Sequence, residues 1–196
     1  YNIPILFIIF KRKEIALKSF QQIKTVKPKK LYLAGDGARP KRQEELKNVE
    51  STRQAILDEI DWNCEVHTLF HKQNFGCSIG VFSAINWFFE NEELGIILED
   101  DCIAEISFFS YTKELLLKYK DDNRIGMIAG TNQISNHKIP YSYCFSRYAA
   151  WWGWATWKRA WKNMGLTKYF LKSASSKRDI LYNRGYYAKE INRWLY

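Results

Sequence analysis

No apolar run in this 196-residue chain approaches the roughly 20 residues that a helix needs to cross a bilayer. The strongest early run, Ile3 to Phe10, is too short for that and lacks a signal-peptide cleavage pattern. Cysteine is sparse and scattered. Cys64, Cys77, Cys102 and Cys144 form no CxxC pair and no Cys/His zinc pattern, so the reduced thiols of a cytoplasmic protein are expected. His67, His71 and His137 have no ligand spacing either, and they read as structural. Internal repeats, linkers and low-complexity segments are missing, so 1–196 reads as one domain, large enough for a real core. Long blocks of one charge are missing too. The net charge is +9, but the lysines and arginines are dispersed: Lys11, Arg12, Lys13; Lys27, Lys29, Lys30; Lys158, Arg159, Lys162; Lys177, Arg178. Dispersal speaks against a nucleic-acid arm. It leaves a solvated basic surface, peripheral contact with the anionic inner face of a membrane, or a phosphorylated small molecule.

What is present is a folded globular chain, with 46% hydrophobic and 16% aromatic residues. A strand–helix alternation starts at once. Ile3–Phe10 reads as a buried parallel strand. Glu14–Ile23 has helical periodicity through Ile15, Leu17, Phe20 and Ile23, ended by Lys27-Pro28. Leu31–Ala34 is a short strand broken by the turn Gly35-Asp36-Gly37. Pro40 is placed to open a charged helix reaching about Ile60. Strands at Cys64–Phe70, Leu94–Leu98 and Ile125–Ala129 alternate with helices at Gly76–Asn91 and around Phe108–Tyr119. The pattern predicts an α/β fold with a mainly parallel sheet flanked by helices. Beyond Gly130, Tyr141–Phe145 reads as a further strand, and Trp151-Trp152-Gly153-Trp154 as the lead into a short helix bearing Trp157 and Trp161. Both ends of the chain read as cuts in a longer protein.

Glu99-Asp100-Asp101 closes the apolar run Leu94–Leu98. Packed carboxylates at the end of a core strand repel one another, and desolvation penalises each charge. A divalent cation would remove both penalties, because hard oxygen ligands suit Mg²⁺ or Mn²⁺. The competing expectation is that Asp100 or Asp101 caps the helix that follows, near Glu105. The tryptophans also divide two ways. Aromatic faces pack on sugar rings, and Trp N–H donates to hydroxyls, but a hydrophobic mini-core or an oligomer contact uses the same residues.

The order of these pieces resembles a known family. Phe10-Lys11-Arg12 follows the first strand and Gly35-Asp36-Gly37 the second. Asn74-Phe75-Gly76 precedes the third helix, Glu99-Asp100-Asp101 ends the fourth strand, and Gly153-Trp154-Ala155-Thr156-Trp157 lies beyond. Together they resemble the glycosyltransferases of the GT-A (Rossmann-like) fold, the nucleotide-diphospho-sugar transferases, and among these the bacterial relatives of N-acetylglucosaminyltransferase I. The resemblance implies a metal-dependent, inverting hexosyl- or N-acetylhexosaminyl-transferase. It would move a sugar from a nucleotide-sugar donor, a UDP-sugar foremost, to a glycan or glycoconjugate. It implies Asp101 as the direct Mn²⁺ or Mg²⁺ ligand, with Glu99 and Asp100 at the donor's sugar and ribose. Arg12 and Asp36 would hold the diphosphate and the uracil base, and Asn74 and Gly76 would pass close to the nucleotide. Trp152, Gly153 and Trp154 would shape the sugar and acceptor pocket.

Inverting enzymes of this type use a carboxylate base. After Trp161 the carboxylates are only Asp179 and Glu190, neither in a placeable motif. The base is therefore expected beyond Tyr196, in a domain truncated at its C-terminal end, with Asp179 and Glu190 as weak candidates. The rivals are a metal-dependent nuclease, which would want further acids or histidines converging on the site, and a non-catalytic sugar-binding domain.

Overall fold

The run Ile-Leu-Phe-Ile-Ile has no polar face to offer solvent, and it becomes the central strand, β1 (Ile5–Ile9). In the computed structural model, which describes residues 1–131, 140–148 and 150–163, β1 pairs in parallel with β2 (Lys30–Gly35) on one side and β4 (Leu94–Glu99) on the other. β3 (Glu65–Phe70) adds in parallel to β2. β6 (Trp154–Trp157) lies antiparallel on β4, and the two-residue β5 (Ile128–Ala129) antiparallel on β6. The strand order is β3-β2-β1-β4-β6-β5. The described residues form a single α/β domain with a six-stranded, mainly parallel sheet.

Helices α1 (Lys13–Val26), α2 (Gln43–Asp58), α3 (Cys77–Asn91), α4 (Ile106–Lys118) and α5 (Lys158–Asn163) cover the sheet. Strand side chains alternate between faces. Ile5, Phe7 and Ile9 therefore meet Phe20 and Ile23 of α1, Ile56 of α2 and Phe109 and Leu116 of α4. Leu6 meets Phe82, Ile85 and Phe88 of α3 on the other face. Each such aromatic or aliphatic side chain, fully buried, contributes about 1.5–3 kcal/mol. α3 sits close on β4 because position 95 is glycine: a Cβ there would lie 2.3 Å from the Phe88 ring. α1 stops where Lys27 turns left-handed (φ 47°) and donates its N–H to Ile23 O at 3.1 Å, with Pro28 next.

Three expectations are corrected. Pro40 does not open α2, which begins at Gln43 after Lys41 adopts φ 63°. Trp157 is not helical; it ends β6, where pairing with Leu94 on the central sheet outweighs helix propensity. Tyr141–Phe145 is irregular rather than a strand. Its rings pack on α4's end instead: the Tyr143 and Tyr119 hydroxyls are 2.7 Å apart, and Phe145 sits edge-on to Tyr119 at 5.8 Å. His137, Asp179 and Glu190 lie outside the described residues. Among the described residues no helix is long and apolar enough to cross a membrane.

The chain leaves β1 toward β2 and later returns to β4 on β1's opposite side. Such a reversal of strand order opens a crevice beyond the carboxyl ends of the strands.

Candidate active site

Register places the segment after β1 in that crevice. Ile9 pairs with Gly35 and Ile8 with Glu99, so Phe10, Lys11 and Arg12 emerge between Asp36 and Asp100. With Arg39, Asn74, Gly76, Cys77, Gly80 and Val81 these residues line a cleft of about 470 Å³. Arg12, Asp36, Asn74, Gly76, Glu99 and Asp100, expected at a donor site from sequence, are thus brought to one place.

The three consecutive acids have three environments. They occupy a turn in which Cys102 N–H donates to Glu99 O at 3.0 Å. Asp100 is buried. Its carboxylate takes Arg12 Nη2 on Oδ1 at 2.5 Å and Arg12 Nε on Oδ2 at 3.4 Å, and its carbonyl accepts from Ser19 Oγ at 2.8 Å. Asp101 is half-exposed and meets the same Nη2 at 2.9 Å through Oδ2. Hydrogen bonds to Asp100 foremost, and to Asp101, raise the Arg12 guanidinium above its ordinary value. Burial pushes the Glu99 carboxyl up, and repulsion from Asp101 and Asp100 adds to that. The helix-cap expectation fails: α4 begins only at Ile106, its N-cap is Glu105, and no side chain caps it.

Asp36 is not a free carboxylate. Oδ1 accepts from Gly37 N at 3.0 Å and Phe75 N at 2.9 Å, while Oδ2 accepts from Phe75 N at 3.0 Å and Gly76 N at 2.8 Å. It therefore ties the turn after β2 to the start of α3, where Gly76 takes φ 84°, a conformation that glycine adopts without strain. Asn74 Nδ2 adds a bond to Gly37 O at 2.7 Å. Behind this loop, one nitrogen of Arg53, Nη2, serves Gly35 O, Asp36 O and His71 O at 3.0–3.2 Å, and burial lowers its pKa. Behind the cleft residues Lys11 and Arg39, buried Glu45 accepts from Lys11 Nζ at 2.6 Å and from the main chain and guanidinium of Arg39. The Arg39 and Lys11 side chains hold its carboxyl well below the ordinary range.

Ser19, Glu45 and Arg53 were not anticipated from sequence. Two of them had a signal: Glu45 shares the buried stripe Val49, Thr52, Ile56 of α2, and Ser19 the stripe Ala16, Phe20, Ile23 of α1. A polar residue in phase with a buried stripe must have a partner. His67 stacks on Tyr32 and bonds Glu65, and His71 bonds Ser83.

The aromatic segment does not line the cleft. Trp154 is in the core on the α3 face, with Trp161 and Phe89. Trp152 is 62% exposed, and Gly153 (φ 66°) lies against Leu98, so the segment flanks the acid turn from the β6 side.

Among the described residues no group of three or more His, Cys, Asp or Glu is arranged to hold a metal ion. A preformed cage is therefore not what the donor set offers. Asp101 and Glu99 fit a hard cation held by one or two carboxylates and completed by a ligand's phosphate oxygens, the usual arrangement for Mg²⁺. The Arg12 guanidinium already shows that this spot accommodates positive charge.

Fold and cleft define an α/β protein with a charged crevice at its strand ends. No family model matches the chain, and no curated protein matches it. Among solved structures it is similar to a mannosyltransferase from Pyrobaculum calidifontis in complex with GDP-Man and Mn2+, at 10% identity over 66% of this chain and TM-score 0.39. The chain spans 35% of that protein's length. It is also similar to 4-diphosphocytidyl-2C-methyl-D-erythritol synthase from Anaerococcus prevotii DSM 20548, at 12% identity over 90% of this chain and 78% of that one, with TM-score 0.49. At these values neither likeness bears on the chemistry.

Proposed function

We propose that this chain is a metal-dependent glycosyltransferase domain that binds a nucleotide-diphosphate sugar and transfers the sugar, with inversion, to a glycan or glycoconjugate. The observation that carries the reading is the cleft itself. Three cations (Lys11, Arg12, Arg39) and three acids (Asp36, Glu99, Asp100) converge at the carboxyl ends of β1, β2 and β4, in the crevice where open α/β sheets bind ligands. Arginine guanidinium matches phosphate oxygens in geometry and charge. Asp101 and Glu99 would hold the divalent ion, which when bound supplies Lewis-acid neutralisation of a leaving diphosphate. Asp36 has its lone pairs on main-chain N–H groups, so its part is to fix the loop 74–76 against which a nucleoside packs, rather than to read the base alone. Trp152, exposed beside the acid turn, is available to a sugar ring from the β6 side.

A thermal-shift panel tests the reading: UDP-, GDP- and CDP-sugars and a single-stranded oligonucleotide, each with and without Mn²⁺. A nucleotide-sugar at a hundred times its dissociation constant should stabilise the chain by about 2.7 kcal/mol, with Mn²⁺ required. A shift with the oligonucleotide alone would favour the nuclease. A shift with free glycans alone would favour a sugar-binding domain.

A further inference from the structure

We infer that Arg12 is an internal counter-cation that occupies Asp101 until a divalent ion and a ligand diphosphate arrive together. This rests on the metal-and-diphosphate reading of the cleft. A single nitrogen, Nη2, bonds both Asp100 Oδ1 (2.5 Å) and Asp101 Oδ2 (2.9 Å), while Nε reaches back to Asp100 Oδ2 (3.4 Å).

The two halves of this bridge are unequal. Asp100 is buried, and Ser19 fixes its main chain, so that half is permanent: an unpaired buried carboxylate is costly. The Asp101 half is wet on both sides, with side-chain exposures of 46% for Arg12 and 49% for Asp101. Exposed pairs of this kind shift an equilibrium by roughly fivefold or less. The Arg12 backbone stays anchored through its carbonyl, which accepts from Ala16 N at 2.9 Å. Its side chain caps nothing in α1, so its tip can tilt off Asp101 without unwinding the helix.

Arg12 engages Asp101 through Oδ2, and a divalent ion bound to the same carboxylate is repelled by the guanidinium at that range. A divalent ion arriving alone meets that repulsion with no anion to offset it, while Nη2 of Arg12 stays on Asp100. A diphosphate supplies negative charge to both cations while Arg12 keeps Asp100. Metal and diphosphate therefore bind with positive coupling, and by linkage each raises the other's affinity by the same factor.

Free-Mn²⁺ titration followed by electron paramagnetic resonance, on the 196-residue chain with and without UDP, reads this directly. The parent should bind Mn²⁺ weakly alone and more tightly with UDP. Arg12→Gln should bind Mn²⁺ alone roughly fivefold more tightly than the parent, the scale of an exposed ion pair, and should lose most of the coupling. Arg12→Lys carries the test if Arg12→Gln melts early. It keeps a cation for Asp100 but loses the fork in which Nε and Nη2 together hold that carboxylate, so its one nitrogen serves buried Asp100 first and it too should bind Mn²⁺ alone more tightly. Folded variants that bind Mn²⁺ no tighter than the parent overturn the counter-cation. Asp101→Asn separates the two ideas, because Mn²⁺ binding unchanged in that variant removes the metal site itself.

Discussion

Asp36→Asn tests whether Asp36 reads a base or clamps a loop, and the two roles predict opposite results. In the parent, three main-chain donors share the carboxylate: Gly37 and Phe75 on Oδ1, Phe75 and Gly76 on Oδ2. An asparagine oxygen in the Oδ1 position retains the first two donors. Its amide then faces Gly76 N–H, donor against donor, and one charge-assisted hydrogen bond is lost. Such a bond contributes about 1.5–3 kcal/mol. Asp36 and Gly76 are only partly buried, so water recovers some of it, and the expected loss is about 2 kcal/mol. For a chain of this length that corresponds to a melting temperature lower by roughly 4–8 °C. Urea unfolding monitored by tryptophan fluorescence gives the stability, and calorimetry with UDP and GDP gives the selectivity. A clamp predicts reduced stability and equal fractional loss of affinity for both nucleotides. Parental stability with selective loss of UDP would refute the clamp and restore the carboxylate as the acceptor of a uracil N–H.

The other expected outcomes are more local. Asp101→Asn should abolish Mn²⁺-dependent nucleotide-sugar binding in a thermal shift while leaving metal-free stability within about 1 kcal/mol, since its ion pair is half-exposed; retained Mn²⁺ dependence would sink Asp101 as a ligand. Gly37→Ala places a Cβ 2.7 Å from the main chain of Lys72 and Gln73, which cannot rotate away, so chemical denaturation should show a loss of about 1–3 kcal/mol. Parental stability there would mean that the loop is not packed as described. Glu45 has a folded-state pKa below its ordinary value, so the stability it contributes is complete above the ordinary carboxylate range and is lost as pH falls through the folded value. Glu45→Gln should be less stable at neutral pH and should converge on the parent in acid; stability curves that stay parallel down to about pH 2 would exclude the contribution.

The parallel core was legible because its physics is local. Strands buried on both faces read as continuous apolar runs, and β1, β2 and β4 fall where Ile3–Phe10, Leu31–Ala34 and Leu94–Leu98 place them. β6 was not legible. Trp-Ala-Thr-Trp is four residues long, and what makes it a strand is β4 beside it, 57 positions away where Ile97 pairs with Trp154. A period of two was nevertheless present, since Trp154 joins one core cluster while Ala155 and Trp157 join the other. Gly153 at φ 66° marks its start. Tyr141–Phe145 misled for the converse reason: aromatic residues of high strand propensity pair with no strand among the described residues, and Tyr143 and Phe145 pack instead on each other and on Tyr119.

The cleft shows the same division at the level of single side chains. Sequence puts Glu99, Asp100 and Asp101 together at a strand end, and nothing local tells them apart. Their differences come from residues remote in the chain: Ser19, 81 positions from Asp100, and Arg12, 88 positions from it. Those contacts make Asp100 a buried structural anion, leave Asp101 half-exposed beside a displaceable partner, and give Glu99 no ion pair of its own among the described residues. A buried carboxylate such as Asp100 keeps its cation, because releasing it would leave an unpaired charge in the interior. An exposed carboxylate such as Asp101 can exchange the same cation at small cost. The order of the acids therefore matters less than which of them Arg12 can release, and Asp101 is the one it holds most weakly.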